Sequence, residues 1–136
     1  ERRKWDIAIS NYNKALNLAP DNEEALRNIG CVQALKNDLN QGLENLKKAL
    51  SMKPDNPLTH SYLGFIYLKK RDYNSAMRET RRAINAGLFI NSGLRWRLVF
   101  IYFKKKLYDR MFDELKYALI VSYFDIFRGV KGWLKY

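Results

Sequence analysis

Apolar residues recur along this chain at steps of three and four. Ile7, Ala8, Tyr12, Ala15 and Leu16 fall on one helical stripe. Pro20-Asp21-Asn22 closes it, because proline blocks continuation and Asp21 or Asn22 can cap the next amide groups. Ala25, Ile29, Val32 and Leu35 or Lys36 carry a second helix, and Asn37-Asp38 forms a tight turn. Leu39, Leu43, Leu46, Ala49 and Leu50 carry a third. Pro54-Asp55-Asn56-Pro57 repeats the punctuation, with Pro57 suited to a first helical position. The cycle continues from Leu63 to Leu68, turns at Arg71-Asp72 and runs on from Tyr73 to Ile84.

The pattern is periodic at a second, longer scale. Ala15-Leu16-x-Leu18-x-Pro20-Asp21-Asn22 returns 34 residues later as Ala49-Leu50-x-Met52-x-Pro54-Asp55-Asn56. The same step relates Ile29 to Leu63, Gly30 to Gly64, Ala49 to Ala83, and Trp5 to Leu39 to Tyr73. From Ala83 to Ala118 the step is 35, which puts one inserted residue near positions 87–92. Gly87 suits a left-handed helix stop there, and Asn91 or Ser92 a new cap. A fixed period of this size predicts a stack of helix pairs, an architecture that offers long surfaces rather than catalytic clefts.

These residues resemble the tetratricopeptide repeat. Leu63, Gly64, Tyr67, Tyr73, Ala76 and Ala83 match its pattern best. Ile29, Gly30, Ala49 and Pro54 match it in the preceding unit, where Gly42 stands in a position that the family fills with alanine. Trp5, Ala8, Tyr12, Ala15 and Pro20 supply only the second helix of a repeat. Leu98, Tyr102, Tyr108, Leu115 and Ala118 keep the pattern in the last unit, whereas Val99 and Met111 replace its glycine and alanine. The resemblance implies an all-α, right-handed solenoid of about three and a half repeats in a single domain, residues 1–136. We expect a half repeat at 1–20, repeats at 21–54 and 55–90, an atypical repeat at 91–123 and a capping segment at 124–136. In that segment Tyr123 to Arg128 and Trp133-Leu134 would cover the last helix pair.

Catalytic constellations are not apparent. His60 is the only histidine and Cys31 the only cysteine, so neither a two-histidine metal site nor an internal disulfide can form. His60 is expected at an exposed or groove-edge position. Glu23-Glu24 and Asp113-Glu114 are adjacent carboxylates that diverge on a helix, so solvated surface is expected for both pairs. Cys31 is expected either to pack or to face the groove. Glycine-rich phosphate loops are absent too, so we expect a non-enzymatic chain with no cofactor or metal.

The resemblance implies instead that the first helix of each pair lines a concave groove for an extended peptide or partner helix. The corresponding residues are Arg27, Asn28, Cys31 and Leu35, then Leu58, Tyr62, Phe65 and Lys69, then Trp96, Arg97, Phe100 and Lys104. Exposed aromatics beside arginine are the usual composition of an interface hot spot; core packing is the competing use of the same rings. Leu58 and Tyr62 stand where basic residues would be needed to clamp a peptide's C-terminal carboxylate, so that variant is not expected.

Charge changes this picture at one edge. Residues 1–57 carry 9 basic and 8 acidic side chains, while residues 58–136 carry 16 and 6. Lys69, Lys70 and Arg71 match Lys104, Lys105 and Lys106 one repeat on, and Arg2, Arg3, Lys4 and Lys36 extend the ridge. Arg78, Arg81 and Arg82 are expected on an outer face. One cation near each helix C-terminus complements the helix dipole by about 0.3–1 kcal/mol, and two triplets exceed that need. The partners open to the chain are thus a protein or peptide, acidic in the case of the rim, RNA or other nucleic acid, an anionic membrane surface, or a second copy in a homo-oligomer. Apolar runs at 98–103 and 118–124 are far below the roughly 20 residues of a membrane span. A soluble location, cytoplasmic or otherwise, is expected, including as a soluble domain of a membrane-associated chain. Glu1 enters in the middle of a helical pattern, so a portion of a longer polypeptide is expected.

Overall fold

A computed structural model describes the backbone of residues 2–88 and 91–133, and the side chains of 3–88 and 91–124. The side chains of Glu1, Arg2, Phe89, Ile90 and residues 125–136, among them the rim residue Arg2 and the expected capping residues, lie outside the described residues. The helices are α1 (Arg2–Leu18), α2 (Glu23–Leu35), α3 (Leu39–Met52), α4 (Pro57–Lys69), α5 (Tyr73–Ala83), α6 (Ser92–Lys104) and α7 (Tyr108–Trp133). Their closest partners are α2 with α3, α4 with α5 and α6 with α7; α1 with α2, α3 with α4 and α5 with α6 join the pairs in series. This is an all-α solenoid of antiparallel helix pairs.

Local chemistry sets the boundaries. The Asn22 side chain accepts from the Ala25 amide, Asn56 from Leu58 and Thr59, Asp72 from Ser75, and Asn91 from Leu94. Within each pair the turn is the same device. Asn37, Arg71 and Lys106 adopt left-handed φ of 67°, 61° and 57°. The following amides of Asp38, Asp72 and Leu107 donate back to the carbonyls of Gln33, Tyr67 and Tyr102, which closes the helix end.

Small residues let the paired backbones meet. A Cβ on Gly30 would lie 2.7 Å from Leu46 Cγ and 3.0 Å from the Gly42 carbonyl oxygen. One on Gly42 would lie 3.0 Å from the Gly30 carbonyl oxygen and 3.2 Å from Ile66 Cδ1. Gly42 therefore takes the alanine position because α2 and α3 cross glycine on glycine. At Gly64 the obstacle is Thr80, whose Oγ1 is 2.7 Å away. Fully buried Leu46, Ile66, Leu98, Ile101 and Tyr102 fill the spaces between.

The extra residue of the 35-residue step appears as a π turn, Ile84–Leu88, ended by Gly87 at φ 125°. α7 runs without a break across residue 124; no proline follows Pro57 to stop it. Among the described residues, no helix is long and apolar enough to cross a membrane.

Candidate functional site

The face formed by α2, α4 and α6 carries the expected groove residues in three matching rows. Cys31, Phe65 and Phe100 occupy one row, and Asn28, Tyr62 and Arg97 the next. Cys31 and Tyr62 hydrogen-bond across the α2–α4 junction; burial pushes the Cys31 thiol up, while Tyr62 and Arg27 oppose this. Tyr62 is raised by its bond to Cys31 and then by burial.

Cations lie over the rings. Lys69 Nζ is 5.4 Å from the Phe65 centroid, and Lys104 Nζ stands at the same 5.4 Å from Phe100. These are geometries in which a ring face attracts a cation. Arg97 crosses between repeats: its guanidinium donates to the Ser61 carbonyl at 2.7 Å and sits 6.0 Å from the Phe65 centroid. Desolvation lowers its pKa to about 10, and no carboxylate lies within ion-pair distance of it among the described residues. Trp96 and Phe100 are 41% and 45% exposed and Leu58 also faces solvent. The Trp96 indole donates to Ser122 of α7 at 3.1 Å. Arg27 is engaged with Glu23 and Glu24 at 3.6 and 3.4 Å, so it is less free than the sequence implied.

The basic edge divides into three uses. Lys70 donates to Asn40 at 2.7 Å, Lys105 to Asn74, and Lys36 pairs with Asp6 at 2.5 Å. Each of these lysines reaches back from the end of a first helix to the start of the preceding second helix. The middle cation of each triplet is therefore an inter-repeat tie. Lys69 and Lys104 cover aromatic rings, and Arg71 and Lys106 occupy the left-handed turns. This ladder was hidden in the sequence because Asp6, Asn40 and Asn74 look like ordinary surface residues; their common spacing was the available signal.

Three sequence expectations need correction. His60 is buried: Nε2 meets the Pro54 carbonyl at 2.9 Å and Nδ1 meets Glu79 at 2.8 Å. Both partners accept, so the contacts suit an N–H at each ring nitrogen. Glu23 is buried rather than solvated, taking a bond from Asn56 Nδ2 at 2.9 Å and lying 3.4 Å from Lys53. Glu114 is mostly covered, paired with Arg95 at 2.8 Å. In addition, Arg81 turns toward Tyr102 and donates to its hydroxyl, leaving Arg78 and Arg82 as the outward members of that trio.

A cavity of about 750 Å³ lies away from this face, between α3 and the π turn, lined by Lys47, Ser51, His60, Arg82 and Asn85 among others. Among the described residues no group of three or more histidine, cysteine or acidic side chains is placed to hold a metal.

Comparison with known proteins agrees with this architecture. A model of the TPR (tetratricopeptide) repeat matches residues 34–70. Curated proteins give no significant match. Among solved structures, MamA superposes with a TM-score of 0.79 at 21% identity, covering 88% of this chain and 70% of its own. MamA 41-end from Desulfovibrio magneticus RS-1 gives 0.78 at 15%, covering 88% and 67%. YrrB, described as a TPR protein with an unusual peptide-binding site, gives 0.74 at 19%, covering 85% and 59%. At these identities the likeness is one of fold, and the chain spans 59% of YrrB's length. The TPR repeat model is thus seated on α3 and α4, with helix pairs continuing to either side in the fold shared with MamA and YrrB.

Proposed function

We propose that the protein is a non-catalytic interaction module whose concave face, built from α2, α4 and α6, binds a peptide segment or partner helix. The observation that carries this reading is the repeated pair of a ring and a cation, Phe65 with Lys69 and Phe100 with Lys104, beside half-exposed Trp96. Such a surface offers apolar area, which association needs, and fixed donors, which select the ligand. The likeness to YrrB supports a polypeptide as the ligand class.

Arg97 favours an acidic segment. Its guanidinium is desolvated, and among the described residues it donates to a carbonyl rather than to a carboxylate. A ligand carboxylate at Arg97 would form a charge-assisted bond in a partly dry setting, where it is worth more than at an open surface. The outer cations would then raise the encounter rate of an acidic chain. The unit we assign to this role comprises the half repeat 1–20, repeats 21–54 and 55–90, the atypical repeat 91–123 and the distal segment 124–136.

A displayed peptide library, selected on the whole chain at physiological salt, tests this. The selected peptides should carry acidic and apolar residues. Phe65→Ala with Phe100→Ala should weaken them at least tenfold, about 1.4 kcal/mol, with the helical circular-dichroism signal unchanged. Titrations of RNA and anionic vesicles run alongside. Binding of those ligands alone, unaffected by the two ring substitutions, would overturn the groove in favour of the rim.

A further inference from the structure

Position by position, α7 repeats the face with which α1, α3 and α5 receive the next helix pair, yet nothing among the described residues occupies it. Tyr108, Phe112 and Leu119 correspond to Tyr73, Met77 and Ile84 of α5 and the π turn, and to Leu39, Leu43 and Leu50 of α3. In α3 those three side chains pack on a core that includes Leu63 and Ile66 of α4. On α5 and the π turn, Met77 and Ile84 pack with Leu94 and Leu98 of α6. Ile84 is 7% exposed, whereas its counterpart Leu119 is 54% exposed; Tyr108 and Phe112 stand at 48% and 56%.

The polar tie is repeated as well. Asp6, Asn40 and Asn74 each receive a lysine from the end of the following first helix, Lys36, Lys70 and Lys105 respectively. Asp109 is the next member of that series, exposed in the first turn of α7, and no lysine reaches it among the described residues. Residues up to Trp133 do not fill the seat, because α7 continues as one helix that far.

We propose that this end of the stack is a second docking surface, and that its occupant is an amphipathic helix supplied by a partner. That helix lies antiparallel to α7, with apolar residues on Phe112 and Leu119 and a lysine at its C-terminal end paired with Asp109. The surface is separate from the groove. Its recognition code is the one that already joins α4 to α3 and α6 to α5, so both the apolar row and the charge are specified.

The probe is a fluorescent, helix-stapled peptide with the sequence of residues 57–71, since α4 fills the same seat on α3 and ends in Lys70. Its anisotropy is followed against the whole chain. Saturable binding is expected, weakened at least tenfold by Leu119→Asp and several-fold by Asp109→Lys, with melting temperature retained. A Lys70→Glu peptide should regain affinity for the Asp109→Lys protein and lose it for the parent. Phe100→Ala, which alters the groove, should leave this titration unchanged. Absence of binding, or binding insensitive to Leu119→Asp, would overturn the proposal. So would sedimentation showing that the chain alone dimerises and that Leu119→Asp dissociates it, because the seat would then belong to a second copy.

Discussion

Cys31 reports on the groove through its own chemistry. Burial raises its thiol pKa, and the bond with Tyr62 and the charge of Arg27 offset this only in part. A raised pKa leaves less thiolate at a given pH, and thiolate is the reactive form. Alkylation near pH 8 should therefore be several-fold slower than for an unstructured cysteine peptide, accelerate as pH rises, and slow again when a groove ligand is bound. A reaction as fast as the peptide's would mean that the thiol is freely solvated. Single residues were the hardest features to read from sequence. Nothing near His60 announces Glu79, and nothing near Glu23 announces Asn56, because the first pairing joins the two helices of one repeat and the second joins neighbouring repeats. Isolated polar residues on a helix default to solvent, and only the packed arrangement reverses that expectation.

Helix ends and crossings carry most of the element-scale stability. Arg71 and Lys106 hold left-handed φ, a conformation that costs a residue with a Cβ roughly 1–2 kcal/mol. Arg71→Gly and Lys106→Gly should each raise stability by several tenths to about 1 kcal/mol, measured by urea titration, while removing two rim cations. Gly64→Leu should do the reverse, lowering stability by about 1–3 kcal/mol or more through overpacking, since its Cβ alone would fall 2.7 Å from Thr80 Oγ1. A Gly64→Leu variant that melts like the parent would contradict the close crossing. This level was largely legible beforehand. The 34-residue step located Gly30 and Gly64, and the Pro-Asp-Asn junctions located the caps. The unbroken course of α7 was not legible, because apolar residues near a chain end fit a separate cap and a prolonged helix equally well.

The molecule as a whole presents its first helices side by side, with α2, α4 and α6 contributing the same positions to one face. Lys36, Lys70 and Lys105 tie consecutive pairs and keep those rows in register. Periodicity revealed the stack but not the division of labour among the lysines, because a triplet of cations reads the same whether it meets a partner or a neighbouring repeat. The central claim is that the aromatic and cationic rows of this face receive a polypeptide. Backbone amide shifts of the isotopically labelled chain, followed while an acidic, apolar peptide from the library is added, test it most directly. The account predicts that the largest changes fall on α2, α4 and α6, around Cys31, Phe65, Arg97 and Phe100. Changes confined to the outer residues of α3 and α5, or to the turns at Arg71 and Lys106, would contradict it.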